Sequence, residues 1–396
     1  MTGLRALFAI PARERLSGAS RAALNIAMGL SKLGVEVHVV TTRPRRPEAA
    51  LRRLVEEGAA LHLGRRSPRG PLYWLYLALL ALGCMVKVRP HVVHPHTPKV
   101  ASILLPPSLL LGSARVLTVE GDPVYESAGL GFLRRALAKA LWALSISLAH
   151  AVIPCSHWLA SVLKRRHPSL EGKTRPAFNP IDYYRFASAR GERVREELGV
   201  RGLMVFTAAR LDEVKGVDVL VEAAAKVLAG GLDAHFVVAG EGPLRPRLEA
   251  RASKLGVKDR MIFLGFRDDV EELTAACDVA ALPSRYEPFG MPAAEAGACS
   301  KPVVASRVGG LKEVVVDGET GLLVKPGDAD ELAEALRKLL TDPDLRAKMG
   351  SAGAARALKL FTPKAVARRV LEAYLDALRR TARRGLLLIE DHKLLS

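Results

Sequence analysis

The chain has 396 residues, 49% hydrophobic and 25% charged, a globular composition that excludes a disordered protein and is too long for one typical core, so two domains are expected. Its net charge of +18 is lopsided: residues 1–185 carry 26 Lys and Arg against 10 Asp and Glu, the rest 33 against 31, which places a basic surface in the N-terminal half. Four scattered cysteines (Cys84, Cys155, Cys277, Cys299) have no metal or redox spacing and point to reduced, mostly buried thiols and a cytoplasmic chain.

The chain enters directly on Leu4–Ile10, an apolar run that reads as a first strand, with no signal-peptide pattern before it. Ala19–Leu33 then reads as helix and Glu36–Thr41 as strand, and Val92–His94, Arg115–Val119 and Ala151–Pro154 are later strand candidates. Alternation at these lengths argues for parallel βαβ units. Leu72–Val86 carries no charge but falls short of the ~20 residues that span a bilayer, so a buried core helix is expected. In Gly131–Leu144, Phe132, Leu133, Leu137, Leu141 and Trp142 interleave with Arg134, Arg135 and Lys139. Arg43, Arg45, Arg46, Arg52, Arg53, Arg65 and Arg66 add a basic cluster. Such a surface fits peripheral contact with an anionic membrane; a merely solvated basic face is the alternative. In Pro90-His91-Val-Val-His94-Pro-His96 a strand would put His94 and His96 on one face and His91 on the other, so three metal ligands do not converge and no metal site is expected.

A weakly apolar stretch, Ala187–Arg201, marks the domain boundary, with domains expected at 1–185 and 186–362 and a helix and tail over 363–396. The second half repeats the alternation with Leu203–Ala208, His235–Ala239, Met261–Leu264, Val279–Leu282 and Val303–Ala305 as strands. After the first of these, Arg210 and Lys215 lie five apart in a strand-to-helix loop and both can reach one anion, Arg as a planar fork and Lys as a point charge. After Val279–Leu282, Glu287 and Glu295 flank a glycine-containing turn, with Pro292 suited to the start of a helix. Ligands of open α/β sheets bind at such strand ends, where helix N-terminal amides favour a phosphate and carboxylates accept from hydroxyl-rich groups. A nucleotide-sugar is the simplest ligand for that set. The chain has no Gln and only two Asn (Asn25, Asn179), a depletion of thermolabile amides that suggests a thermophilic source.

The run Leu282-Pro-Ser-Arg-Tyr-Glu-Pro-Phe-Gly-Met-Pro-Ala-Ala-Glu295 resembles the signature of the retaining glycosyltransferases of family 4. So do Pro302-Val-Val-Ala-Ser-Arg-Val-Gly-Gly310 and Asp317-Gly-Glu-Thr-Gly-Leu-Leu323, and the likeness runs from about residue 4 to about 375. The resemblance implies an α/β fold of two Rossmann-like parallel-sheet domains facing across a cleft, with a C-terminal helix crossing back to the first domain. It makes Arg210 and Lys215 the diphosphate clamp, has Glu295 accept from the ribose, and sets Glu287 against the donor sugar. The amides of Phe289, Gly290 and Met291 would face sugar and phosphate, and the loop holding Gly265-Phe-Arg267-Asp268 would lie near the base. Gly18, after Ser17, stands where the family usually has two glycines near the donor phosphate. His94 and His96 match strand-end histidines that line the cleft, for acceptor or structural hydrogen bonding. Asn179-Pro-Ile-Asp182 matches the entry to the hinge.

Glu120, in Thr118-Val-Glu-Gly-Asp122, departs from the pattern: many members have histidine there, near the reaction centre. A carboxylate in its place can accept from a sugar hydroxyl or stabilise a cationic transition state; it is equally compatible with altered donor choice or lost activity. The implied activity is metal-independent transfer of a hexose from a nucleotide-diphosphate donor, with retention and without a cofactor. The acceptor would be a glycan or lipid-linked hydroxyl, on a chain resting on the inner face of the membrane. Transfer to a soluble sugar or sugar phosphate, and an inactive sugar-nucleotide-binding protein, are the rivals. A nucleic-acid partner is set aside, because no aromatic-plus-basic strand motif or recognition helix accompanies the charge.

Overall fold

The computed structural model describes residues 3–11, 16–43, 49–66, 72–122 and 131–381. The chain divides into two compact units: residues 1–180 together with 363–396, and residues 181–362. The first part of unit 1 runs β1 (Arg5–Ile10), α1 (Gly18–Lys32), β2 (Glu36–Arg43), α2 (Ala49–Glu56), β3 (Ala60–Arg66), α3 (Leu72–Val88), β4 (Val92–Val93), α4 (Pro98–Leu110), β5 (Ala114–Val119), α5 (Phe132–Leu148), β6 (Ala151–Pro154) and α6 (His157–Arg166). Unit 2 follows with α7 (Tyr183–Ala187), α8 (Glu192–Leu198), β7 (Leu203–Ala208), α9 (Val217–Ala229), β8 (Ala234–Ala239), α10 (Arg245–Lys254), β9 (Met261–Gly265) and α11 (Val270–Ala276). It closes with β10 (Val279–Leu282), α12 (Met291–Ala298), β11 (Val303–Ser306), α13 (Leu311–Val314), β12 (Gly321–Val324), α14 (Ala329–Thr341) and α15 (Pro343–Leu360). The last described helix, α16 (Pro363–Arg379), returns to unit 1.

Each unit holds a six-stranded parallel sheet, ordered β3-β2-β1-β4-β5-β6 in unit 1 and β12-β11-β10-β7-β8-β9 in unit 2. Both are the doubly wound Rossmann order, with a switch point between β1 and β4 and between β7 and β10. The central strands are buried on both faces, which is why Leu7, Phe8, Val279–Leu282 and Val303–Ala305 read as continuous rather than alternating apolar runs. β3 and β12 were not legible: β3 is an edge strand ending in Arg65-Arg66, and β12 is an edge strand of four residues.

In unit 1, α16 packs on α1 and buries Val366, Val370, Leu371 and Tyr374 in the core that holds Phe8, Leu24, Val39, Val116 and Ile153. The contact is close enough that a Cβ at Gly29 would collide with the Pro363 carbonyl. The division at 180/181 precedes the boundary expected at 185/186. Phe186 is buried and Arg185 binds Glu271 (2.6 Å) and the Asp268 carbonyl (3.1 Å), which assigns the short helix α7 to unit 2. Leu72–Val86 also differs from the buried helix expected. α3 turns Tyr73, Leu77, Ala81 and Met85 inward but leaves Leu72, Leu75, Leu79, Leu82 and Val86 exposed.

Candidate active site

In unit 2 the loops after β7, β8 and β9 are laced together at the sheet's C-terminal edge. The Leu211 amide donates to the Glu241 carbonyl (3.0 Å), the Leu244 amide to the Leu211 carbonyl (3.0 Å), and the Gly240 amide to the Gly265 carbonyl (2.7 Å). Cβ atoms at Gly240 and Gly242 would strike the Ala209 and Leu211 carbonyls, so this glycine pair serves a tight turn. Asp212 organises the loop it ends. Its side chain caps the turn Glu213–Lys215 by accepting from the Lys215 amide (3.2 Å), and its other oxygen pairs with Arg210 (2.9 Å). Arg210 is otherwise solvent-facing, 74% exposed.

Gly216 follows with φ +64°, and a Cβ there would overlap the Pro283 carbonyl. That approach, with the Arg285 amide donating to the Val214 carbonyl (2.8 Å), lays the Lys215 turn on the loop after β10. Two residues far apart in sequence thereby meet: Lys215 Nζ lies 2.6 Å from Glu287 Oε2, both side chains mostly buried. The Glu287 carbonyl accepts from the Gly310 amide (2.9 Å), and Gly310 sits where any side chain would hit Pro288. Gly290, at φ +105°, is the N-cap of α12, with Leu311 Cδ2 2.5 Å from where its Cβ would be. Met291 opens the helix, with a proline in its first turn. Glu295, half-buried on α12, lies close enough to Cys299 to help push that thiol up, although burial is the larger cause. The cation pair Arg210 and Lys215, the carboxylate of Glu287 and the N-terminus of α12 thus line one end of one sheet.

Two side chains of this unit are engaged within the protein. Phe289 packs its ring against Phe361 (centroids 5.6 Å) and is buried, so only its backbone is available to a ligand. Arg267, in the loop expected near the base, has its guanidinium bound by two carboxylates. It is held by Asp269 (2.7 Å) and Glu197 (2.6 Å), whose hydrogen bonds raise it further above its ordinary range, because α8 brings Glu197 to the loop after β9.

In unit 1, Ser17 is the N-cap of α1: its hydroxyl accepts from the Ser20 amide (3.1 Å), and Ser20 Oγ donates to the Pro11 carbonyl (3.1 Å). Serine in place of glycine is thus a cap, worth about 1 kcal/mol, and leaves Gly18 exposed as the first helical residue. Of the two roles expected for His94, acceptor or structural hydrogen bonding, its contacts here are structural. It is fully buried, with Nδ1 2.8 Å from the Tyr374 hydroxyl and Nε2 2.7 Å from Thr118 Oγ1, and burial followed by the nearby His96 holds its pKa well below the usual imidazole range.

His96 is different. It is 3% exposed, its ring tilted against that of His94 with centroids 4.5 Å apart, and its ring nitrogens have no hydrogen-bond partner; the nearest carboxylate oxygen, Glu120 Oε1, lies 3.6 Å from Nδ1 and is itself unpartnered. Glu120 Oε2 accepts from Asn179 Nδ2. His96, Glu120 and Asn179 therefore form one buried polar group at the β4/β5 strand ends. Asp212 and Asn179 are the residues the sequence reading underused. The signal for Asp212 was an acid between two cations of one loop, while that for Asn179 was its match to the hinge segment, which says nothing of a hydrogen bond to Glu120.

Residues 16–185 match the model of "Glycosyltransferase Family 4" and residues 192–356 that of "Glycosyl transferases group 1". An alpha-maltose-1-phosphate synthase of Mycolicibacterium smegmatis is 32% identical over 313 residues, covering 72% of this chain and 78% of that protein. The chain belongs to glycosyltransferase family 4. This family 4 chain also matches an alpha-D-kanosaminyltransferase of Streptomyces kanamyceticus, at 36% identity over 41% of the chain; the match spans only 42% of that relative. Among solved structures, HepE of Anabaena in complex with UDP and glucose superposes with a TM-score of 0.76 at 24% identity, over 93% of this chain and 99% of that one, a likeness of fold. The family 4 architecture of two Rossmann-like units accounts for the doubled sheet order.

Proposed function

We propose that this protein is a glycosyltransferase that moves a hexose-type sugar from a nucleotide-diphosphate donor to an acceptor hydroxyl, with retention and without a metal. The observation that carries the reading is Lys215 brought to 2.6 Å from Glu287, in the loop that leads into α12. A departing diphosphate gains charge, and Lys215, Arg210 and the helix amides are the groups that would stabilise it. Glu287, already a hydrogen-bond acceptor, is suited to a sugar hydroxyl, and Glu295 to the ribose. The complex of HepE with UDP and glucose, and family membership, support the same donor class.

The acceptor hydroxyl belongs to a glycan or a lipid-linked carrier presented at the inner face of the membrane, for which the basic surplus of residues 1–185 is the support. A soluble sugar or sugar phosphate is the alternative within the same chemistry. Glu120 favours a second reading, an inactive sugar-nucleotide-binding protein, if its exchange for histidine fails to restore turnover.

Calorimetric titration with UDP, GDP and ADP tests the donor site. Selective binding of one nucleotide is expected, weakened about 10- to 100-fold by Lys215→Ala, the worth of a charge-assisted hydrogen bond, and reduced by Glu295→Ala. A folded protein that binds none of the three would overturn the assignment.

A further inference from the structure

Among the described residues fifteen large hydrophobic side chains are exposed, and eleven of them lie on three neighbouring helices of unit 1: α3, α4 and α5. α4 packs against both of the others. On α3 the stripe Leu72, Leu75, Leu79, Leu82 and Val86 recurs every three to four residues, 43–63% exposed, opposite the face that packs on the sheet. On α5 the C-terminal half buries Trp142, Ser145 and Ile146, but the N-terminal half stands clear of the unit. There Phe132 is 84% and Leu133 80% exposed, and with Leu137 and Leu144 they form one arc at 100° per residue, turned away from the buried side. Arg134 and Lys139 occupy the two flanks of that arc, while Arg135 lies in line with Trp142 and Ile146.

The charge on these helices is one-sided. α3, α4 and α5 together contain Lys87, Lys99, Arg134, Arg135 and Lys139 and no Asp or Glu. An exposed apolar surface edged only by cations is complementary to hydrocarbon roofed by anionic headgroups. Two copies of it would oppose like charges, so a second copy is a poorer partner. No described helix is long and apolar enough to cross a membrane. In a parallel sheet each crossover helix starts at the strands' C-terminal edge, so Leu72, Leu75, Phe132 and Leu133 lie toward the edge that carries Gly18, His96 and Glu120.

We propose that the α3–α4–α5 face of unit 1 is a monotopic docking surface for an anionic lipid bilayer. It rests on the lipid-linked form of the acceptor proposed above and specifies the surface that would meet that acceptor's membrane. α3 lies along the interface with its leucine stripe among the acyl chains, α5 inserts its Phe132–Leu133 end, and Arg134 and Lys139 reach the phosphates.

The test is flotation of the full chain with vesicles of phosphatidylcholine alone and with one-third phosphatidylglycerol. The wild type is expected to float with the anionic vesicles only and to be released partly by salt. Arg134→Glu/Lys139→Glu should weaken partitioning by about fivefold or more per residue, and Leu133→Glu/Leu137→Glu and Leu75→Glu/Leu79→Glu should abolish it. All six positions are exposed, and unchanged melting with unchanged affinity for UDP, GDP or ADP verifies the fold of each variant. A wild type that stays unbound on anionic vesicles, or leucine variants that float like it, overturns the proposal. So does a wild-type dimer that the leucine variants dissociate in the absence of lipid, which would give the face to a second copy. Vesicle binding without nucleotide binding would sink the transferase reading and leave the docking face standing; the reverse result would do the opposite.

Discussion

At the scale of single residues, Lys215 has two claimants. Its ammonium already bonds Glu287, so an arriving phosphate competes with a carboxylate. Glu287→Gln is therefore expected to bind a nucleoside diphosphate about 3- to 10-fold more tightly than the wild type while turning over more slowly, opposite in sign to Lys215→Ala. Calorimetry on both variants decides this, and weaker binding by Glu287→Gln would show that the carboxylate holds the lysine in place rather than withholding it. In unit 1 the corresponding residue is His96, whose ring orientation depends on Glu120 if their 3.6 Å approach closes to a hydrogen bond. Nitrogen NMR of histidine-labelled protein should then find the His96 proton on Nδ1, displaced in Glu120→Ala and retained in Glu120→Gln; an unchanged tautomer in the alanine variant would separate the two side chains. That Arg210, Lys215, Glu287 and the Gly290 turn gather at one end of a sheet was legible in the sequence, because they lie inside contiguous motifs. The fates of Arg267, Phe289 and His94 were not, because their partners Glu197, Phe361 and Tyr374 come from distant segments that only the fold brings near.

At the scale of elements, close backbone approaches aim the loops. Gly216→Ala should cost about 2–4 kcal/mol in a denaturant melt, since it adds both a positive-φ penalty and a clash with the Pro283 carbonyl, and it should move the Lys215 turn off the β10 loop. β6 carries a pH sensor of a structural kind at its entry. His150 is pressed down to about 4 by burial first and then by Arg115, Lys173 and Arg380. The native state thus resists a proton that the unfolded chain accepts near pH 6.5, so stability is full above that value and falls as the pH drops toward 4. For a ring only about half enclosed the loss should be about 1–2 kcal/mol, visible as a Tm decline between pH 6.5 and 4 that His150→Gln flattens. Strands buried on both faces announced themselves as apolar runs. β3 did not, being a partly exposed edge strand broken by His62 and Gly64 and ending in two arginines, nor did β12, an edge strand of four residues. α3 misled in another way: a helix apolar all round reads as core, and nothing in its composition tells which half faces out.

At the scale of the whole molecule, the chain makes one unit from two separated stretches and the other from one. Eight α16 residues from Val366 to Leu378 are buried, several of them in the unit 1 core, so a chain ended after Thr362 should lose the cooperative melting of that unit while residues 181–362 keep theirs. Differential scanning calorimetry with hydrogen exchange would resolve the two. Equal protection of β1 and β5 with and without α16 would mean that the first sheet needs no such cover. The passage out of unit 1 and the passage back lie side by side, as the hydrogen bond from the Ile181 amide to the Phe361 carbonyl (2.8 Å) shows. In the order of synthesis this arrangement inverts completion. A ribosome has finished every residue of unit 2 before it makes the helix that covers Gly29, so the half of the molecule begun first is the last that can close. Until that helix emerges, the bare α1 surface is where a chaperone would have to stand.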